Sequence, residues 1–142
     1  MSLQELFASS DLIDREGNTV SLSSLQEKER IGLYFSASWC PPCRMFTPNL
    51  VNVYNELKSQ GKSFEVVLVP SDRTEADFKE YLKKMPWLSI PFTGPAKQAI
   101  SNRFSPPGIP HLVIVDNEGN EVTDEGRNHV QLKGADAWSE WQ

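Results

Sequence analysis

Two cysteines three residues apart, Cys40 and Cys43, are the feature of this sequence most able to carry chemistry, and the chain contains no other cysteine. A pair at this spacing can exchange disulfides, because one thiolate attacks a partner's disulfide and the second thiol releases the product. The segment around them reads Trp-Cys-Pro-Pro-Cys-Arg, from Trp39 to Arg44. We therefore predict thiol–disulfide exchange at this segment.

The cysteine segment lies between a predicted strand and a predicted helix. The apolar run Ile31–Ser36 fits a strand buried on both faces. Apolar residues then recur at helical spacing, at Phe46, Leu50, Val53 and Leu57. At the start of this helix, the Cys40 sulfur would face free backbone N–H groups and the positive end of the helix dipole, which favour the thiolate. Pro41 and Pro42 would stiffen the turn without losing helix hydrogen bonds.

A zinc half-site and two unrelated buried cysteines are the alternative interpretations of the cysteine pair. A structural zinc ion needs four ligands, and only His111 and His129 could join the two sulfurs. Prolines between the cysteines are unusual for a zinc knuckle. The sequence therefore favours redox exchange and predicts neither a metal ion nor an organic cofactor.

The rest of the chain predicts one α/β domain over residues 1–142. Further strands are predicted at Leu12–Ile13, Thr19–Val20, Phe64–Val69, His111–Asp116 and Glu121–Val122. Further helices are predicted at Glu75 to about Lys84, Ala96–Phe104 and Gly134–Gln142, the last with Trp138 packed inward. This order predicts an α/β sandwich with parallel crossovers and an antiparallel edge.

Composition excludes several classes of protein and partner. The 14 basic and 19 acidic residues give a net charge of −5, which argues against a broad nucleic-acid surface. No apolar run is long enough to span a bilayer, and the first residues do not resemble a secretory signal. We therefore expect a monomer of the cytoplasm, with the nucleus as a second location, that binds neither nucleic acid nor membrane.

Several segments together resemble one family. They are Tyr34–Arg44, Phe46–Pro48, Asp72, Asp77–Phe78, Met85–Leu88, Ile90–Phe92 and Gly108–Pro110. In these segments the chain resembles the tryparedoxin and nucleoredoxin family of the thioredoxin superfamily, from about Asp14 to Arg127. The resemblance implies an α/β thioredoxin-like fold, with a central mixed β-sheet flanked by α-helices. It also implies a thiol–disulfide oxidoreductase that reduces disulfide-containing proteins and is itself reduced by a small dithiol or another redoxin. The alternative is a non-catalytic redox-sensing or interaction module with this fold.

The resemblance also implies roles for individual residues. Cys40 matches the nucleophile and Cys43 the resolving cysteine. Pro110 matches a cis-proline opposite the cysteines, Pro48 matches a proline inside the active-site helix, and Trp87 is expected to be structural. The predicted substrate-binding residues are Trp39, Pro41, Pro42, Ile109 and Pro110.

Three further residues are candidate modulators of the cysteines. Many thioredoxins carry a buried carboxylate at the position of Tyr34, so bound water or a nearby acid such as Asp72 is the candidate base for Cys43. The simpler interpretation of Asp72 is an exposed loop carboxylate. His111, where threonine is more usual, could stabilise the Cys40 thiolate when protonated, or could be a partly exposed strand residue. Arg44 could create a positive docking surface together with nearby lysines, at Lys79, Lys83 and Lys84, unless these are simply solvated.

Overall fold

A seven-stranded mixed sheet lies at the centre of the structure, a computed structural model that describes residues 2–142. The strands are β1 (Leu12–Ile13), β2 (Thr19–Val20), β3 (Arg30–Ser36), β4 (Phe64–Pro70), β5 (Leu88–Ser89), β6 (His111–Asp116) and β7 (Glu121–Thr123). Their order across the sheet is β2-β1-β5-β4-β3-β6-β7. The pairs β3–β4 and β4–β5 are parallel, and the other pairs are antiparallel, as the expected mixed sheet requires.

Helices cover both faces of this sheet. They are α1 (Leu3–Leu6), α2 (Pro41–Ser59), α3 (Glu75–Leu82), α4 (Ala96–Phe104) and α5 (Gly126–Lys133), with 3-10 segments at Leu22–Glu27 and Gly134–Trp141. Alternate residues of β3 enter different cores: Tyr34 packs with α2 and α3, whereas Leu33 and Phe35 pack with α1 and α4. The prediction that this strand is buried on both faces is confirmed.

Helix α2 is the element that carries the cysteines into the structure. Its buried face includes Phe46, Leu50, Val53 and Leu57, the residues that its apolar spacing predicts. The helix ends before Gly61, whose φ of +76° is the left-handed conformation that terminates helices. Although α2 has 19 residues, no helix within residues 2–142 combines the length and apolar character that crossing a membrane needs.

Most predicted elements are confirmed, and two details near the C-terminus are corrected. Helix α5 was not predicted, because its residues show no apolar periodicity: Val130 is buried, but Leu132 is 82% exposed. In the last segment, Trp141 is fully buried, whereas Trp138, the residue expected to point inward, is only partly buried.

The two ends of the described chain lie near the same end of the sheet. The guanidinium of Arg30, at the start of β3, donates to the backbone carbonyl of Trp141. Ser2 lines a surface depression together with residues of the turn between β6 and β7, including Asn117 and Asn120. Arg30 starts β3 and pairs with Asp116 at the end of β6. These contacts therefore lie at the end of the sheet opposite the cysteines.

Helix α5 packs so closely on β6 that Gly126 has no room for a side chain. A Cβ atom there would lie 2.8 Å from both the Cγ atom and the carbonyl oxygen of Leu112. We predict that Gly126→Ala lowers the free energy of unfolding by about 1–3 kcal/mol, since the backbone oxygen cannot move aside cheaply.

Urea denaturation followed by circular dichroism measures this difference. Gly108→Ala is the matched control, because a Cβ atom at Gly108 meets nothing within 4 Å. The control should change stability by less than about 0.5 kcal/mol. Equal effects of the two substitutions would contradict the packing of α5 described above.

Candidate active site

Cys40 is the N-cap residue of α2, in the position that the sequence predicts. Its backbone is extended (φ −95°, ψ 110°), and its Sγ accepts a hydrogen bond from the backbone N–H of Cys43 at 3.4 Å. Pro41 and Pro42 occupy the first positions of the helix, where a missing N–H costs no helix hydrogen bond. The N–H group and the positive end of the helix dipole both favour negative charge on this sulfur.

The loop before β6 faces Cys40 from the other side. Ile109 packs against both cysteines, and its carbonyl oxygen lies 3.9 Å from the Cys40 Sγ. The Ile109–Pro110 peptide bond is cis, which confirms the expectation drawn from the family resemblance. Pro110 is buried, and its carbonyl oxygen accepts a hydrogen bond from Arg127 at 3.4 Å.

Cys43 lies deeper than Cys40 and in a different electrostatic environment. Both are free thiols, but Cys43 is fully buried, whereas Cys40 retains 5% exposure. Burial, the largest cause, and the hydrogen bond with Cys40 together raise the pKa of the Cys43 thiol to about 11, while hydrogen bonds from Ser36 and Ala37 oppose the shift. The pair is therefore asymmetric, with an outer sulfur at a helix terminus and an inner thiol that holds its proton.

Trp39 lies on the surface beside Cys40. Its side chain is 44% exposed, so Trp39 is not simply a residue of the core. The indole N–H donates to the Ser71 carbonyl at 3.0 Å, and the Arg73 guanidinium lies 4.8 Å from the ring centroid. These contacts hold the ring in place and leave part of it open to solvent. Trp87, by contrast, is fully buried against Tyr34, as a structural residue should be.

Asp72 supports the loop that leads to the cysteines. It is only 6% exposed, so it is not a solvated loop carboxylate, and its Oδ1 accepts from the backbone N–H of Ser38 at 2.7 Å. Its Oδ2 is buried without a hydrogen-bond partner. The largest effects on the Cys43 pKa come from burial and from Cys40, Ser36 and Ala37, and Asp72 is not among them. The structure therefore gives no support to Asp72 as the base for Cys43.

His111 lies on the opposite face of the sheet from α2. Its ring packs 5.9 Å from that of Phe35, which belongs to the core under α1 and α4. Burial lowers the His111 pKa, and Arg127 lowers it further, against the opposing effects of Asp124, Glu121 and Glu125. These contacts do not support the hypothesis that protonated His111 stabilises the Cys40 thiolate, because burial disfavours the charged ring.

The basic residues near the site are divided between two surfaces, with Arg44 and Lys84 along one groove and Lys79 and Lys83 along another. Arg44 is exposed and donates to the Ser38 carbonyl at 2.7 Å, so it braces the same loop as Asp72. On α3, Lys79 and Lys83 pair with neighbouring glutamates at 3.9 and 3.5 Å on an exposed face. These lysines match the solvated alternative rather than a positive patch.

A chain of buried hydroxyls beneath Cys43 was not predicted. The Tyr34 hydroxyl lies 2.7 Å from Thr47 Oγ1, which lies 2.8 Å from the Tyr81 hydroxyl, and Tyr81 lies 2.7 Å from Ser36 Oγ. Thr47 also donates to the Cys43 carbonyl at 2.9 Å. We call Tyr34, Ser36, Thr47 and Tyr81 the hydroxyl cluster. Two sequence signals could have suggested it, since Ser36 shares a strand face with Tyr34 and Thr47 follows Cys43 by one helical turn.

The structure does not assemble ligands for the zinc alternative. No group of three or more His, Cys, Asp or Glu side chains suited to a metal ion occurs among residues 2–142. His129, which a four-ligand site would need, accepts a hydrogen bond from the Trp141 indole at 3.1 Å. That contact ties His129 to the C-terminal segment.

Comparison with known proteins finds the same architecture. Residues 28–121 match a family model described as thioredoxin-like. Over 140 residues the chain is 43% identical to probable nucleoredoxin 1 of Arabidopsis thaliana, and over 120 residues it is 42% identical to nucleoredoxin of Homo sapiens. These alignments cover 96% and 84% of this chain but 24% and 27% of those proteins. The chain thus spans about a quarter of the length of the curated relatives it matches.

Solved structures match over nearly their whole length. Tryparedoxin II from C. fasciculata superimposes with a TM-score of 0.85 at 38% identity, covering 94% of this chain and 92% of that one. Tryparedoxin from Trypanosoma brucei gives a TM-score of 0.85 at 36% identity, covering 99% of both chains. A structure of tryparedoxin II complexed with glutathionylspermidine gives 0.84 at 37% identity, covering 92% of each chain.

The asymmetry of the two thiols can be measured directly. In a Cys40→Ser variant, we predict that Cys43 still ionises well above the ordinary thiol range of about 8.5, because burial is the largest cause of its raised pKa. The ultraviolet absorbance of the thiolate, followed as pH rises, gives the midpoint. Cys43→Ser provides the companion titration of Cys40. A Cys43 midpoint at or below the ordinary value would contradict the inner environment described here.

Proposed function

The chain belongs to the thioredoxin-like family, in the branch of tryparedoxins and nucleoredoxins, and we propose that it reduces disulfide bonds of protein substrates through Cys40 and Cys43. The observation that carries the proposal is the position of the Cys40 sulfur at the N-terminus of α2. There it accepts a hydrogen bond from the Cys43 N–H and faces the loop that contains cis-Pro110. The proximity of the two cysteines supports Cys40 as the attacking sulfur and Cys43 as the second thiol of the proposed reaction.

The first step is attack on the substrate. The Cys40 thiolate bonds to one sulfur of the substrate disulfide, the substrate S–S bond breaks, and the leaving thiolate takes a proton from solvent. A mixed disulfide then joins Cys40 to the substrate. The helix terminus favours Cys40 for this step, since the anionic sulfur is stabilised there before attack.

The second step releases the substrate. Cys43 loses its proton and attacks the Cys40 sulfur, so that the mixed disulfide breaks and the second substrate thiolate leaves. The chain ends with a Cys40–Cys43 disulfide, and two electrons have passed to the substrate. A dithiol reductant reverses both steps and restores the two thiols.

The surface around Cys40 supports a polypeptide substrate. Trp39, Pro41 and Pro42 are exposed on one side of the sulfur, and Ile109 is partly exposed on the other, before the buried Pro110. Apolar side chains that flank a reactive sulfur give a substrate chain contact area without charge selectivity.

The reductant is proposed to be a small dithiol or another redoxin. A related tryparedoxin forms a complex with the small molecule glutathionylspermidine, and we propose that this chain likewise accommodates a small thiol compound. The same experiment that measures turnover can compare the two classes, with a small dithiol in one assay and a reduced redoxin in the other.

Turnover of a protein disulfide tests the proposal. With dithiothreitol as reductant, the chain should accelerate the reduction of insulin, and Cys40→Ser should return the rate to that of dithiothreitol alone. Cys43→Ser should instead accumulate mixed disulfides through Cys40, because the releasing thiol is missing.

The double variant Cys40→Ser/Cys43→Ser controls for non-specific trapping. Mixed disulfides seen on gels without reductant should disappear in this variant. A wild-type chain that binds substrates but does not accelerate insulin reduction would support the interaction-module alternative and overturn the proposal.

A further inference from the structure

Resolution of the mixed disulfide requires Cys43 to lose a proton in a buried place. The largest effects on its pKa are burial and Cys40, and the titratable groups that face it are Cys40, Tyr34 and Tyr81. Tyr34 occupies the strand position where many thioredoxins place a carboxylate, and Asp72 contacts Ser38 instead. The proton must therefore leave through groups that carry no charge.

The hydroxyl cluster acts on Cys43 at two places. The Ser36 hydroxyl lowers the pKa of the Cys43 thiol, and Thr47 donates to the Cys43 carbonyl at 2.9 Å. From Ser36 the cluster continues to Tyr81 at 2.7 Å and from Tyr81 to Thr47 at 2.8 Å. In the Ser36–Tyr81 contact either oxygen can be the donor, so the direction of donation between these two hydroxyls can reverse.

The far end of the cluster reaches solvent. Thr47 and Tyr81 line a groove of about 300 Å³ beside Pro48, with Arg44 and Lys84 at its edge. Ser36 is fully buried, whereas Tyr81 and Thr47 retain 3% and 6% exposure. Short hydrogen bonds therefore connect Ser36, which lowers the pKa of the buried Cys43 thiol, to the residues that line the groove.

We infer that the hydroxyl cluster conducts the Cys43 proton to solvent in this groove when Cys43 attacks the mixed disulfide. The inference rests on the proposed function. Ser36 is the group that accepts the proton at the reacting sulfur, and Tyr81 is the link that passes it on. Thr47 and Tyr34 position the Tyr81 hydroxyl and the Cys43 backbone.

The step balances in protons and electrons. The Cys43 S–H proton moves to Ser36 Oγ, the Ser36 hydroxyl proton moves to Tyr81, and the Tyr81 proton moves to water in the groove. The thiolate left on Cys43 forms a bond to the Cys40 sulfur with its electron pair, and the substrate sulfur leaves with the pair of the broken bond. The hydroxyl groups of Ser36 and Tyr81 end the step neutral.

Burial keeps the two tyrosines neutral throughout. It raises the pKa of both Tyr34 and Tyr81 above the ordinary value, so neither phenol holds the proton deficit near neutral pH. A neutral relay passes a proton without storing charge in the core, where an isolated charge is expensive.

The test isolates the resolving step with dithiobis-nitrobenzoate as the probe. The reduced wild-type chain should release one thionitrobenzoate when Cys40 attacks and a second when Cys43 resolves the mixed disulfide. Rapid mixing separates the two phases. Ser36→Ala and Tyr81→Phe should slow the second phase by roughly tenfold or more near neutral pH, as expected for loss of a proton-transfer group. The first phase should be unchanged. The increase of the second-phase rate with pH should occur at a higher pH in these variants than in the wild type.

Two buried residues provide matched controls. Ser89 is fully buried, and its hydroxyl donates to the Leu68 and Ile90 carbonyls; Tyr54 is buried, and its hydroxyl donates to Glu65. Ser89→Ala and Tyr54→Phe remove comparable hydroxyls away from Cys43 and should leave both phases near the wild-type rate. Thermal melting of all four variants reports their folding.

The outcomes separate this inference from the proposed function. If the wild type releases only one thionitrobenzoate, or none, the proposed function fails. If the wild type releases both but Ser36→Ala and Tyr81→Phe match their controls, the proton relay is overturned and the function stands. If Ser36→Ala does not fold, Tyr81→Phe alone decides, because phenylalanine keeps the ring and removes only the hydroxyl.

Discussion

The hydrogen bonding of β3 to a neighbour on each side fixes where every part of the site can lie. Tyr34 pairs with Leu68 in the parallel β4 and with Leu112 in the antiparallel β6. Because the strand cannot shift along either partner, the chain leaves the sheet at Ser36 and turns into α2 at one defined place. Cys40 caps the helix there, and the loop before β6 faces it. Asp72, which follows β4, reaches the turn from the adjacent strand.

The same pairing divides the chemistry between the two faces of the sheet. On the face of β3 that packs against α2, Tyr34 and Ser36 lie near Cys43. On the other face, Phe35 belongs to the second core and contacts His111. Cys40, at a helix terminus, and Cys43, fully buried, differ in environment although only two residues separate them. The difference arises from burial and the helix terminus, with no carboxylate among the largest contributors to the Cys43 pKa.

Local patterns predicted the parts of the structure that depend on nearby residues. The apolar spacing of α2 gave its buried face, and the bounds of α4 and β6 agree with Ala96–Phe104 and His111–Asp116. Contacts between distant segments could not be predicted in this way. The burial of Asp72 depends on Ser38, 34 residues earlier, and the face on which His111 lies depends on how β6 pairs with β3. Helix α5 has too few apolar residues to show a period, so only its packing on β6 reveals it.

The contact between Arg30 and the Trp141 carbonyl has a practical consequence for handling the protein. Arg30 begins β3 and Ser36 ends it, a separation of roughly 20 Å at the rise of an extended strand. Ser2 also lies near the Arg30 edge, beside the turn after β6. A tether joined at either end of the described chain therefore emerges on the side away from Cys40. Immobilisation on a bead or an electrode through either terminus would leave the reactive sulfur facing the solution.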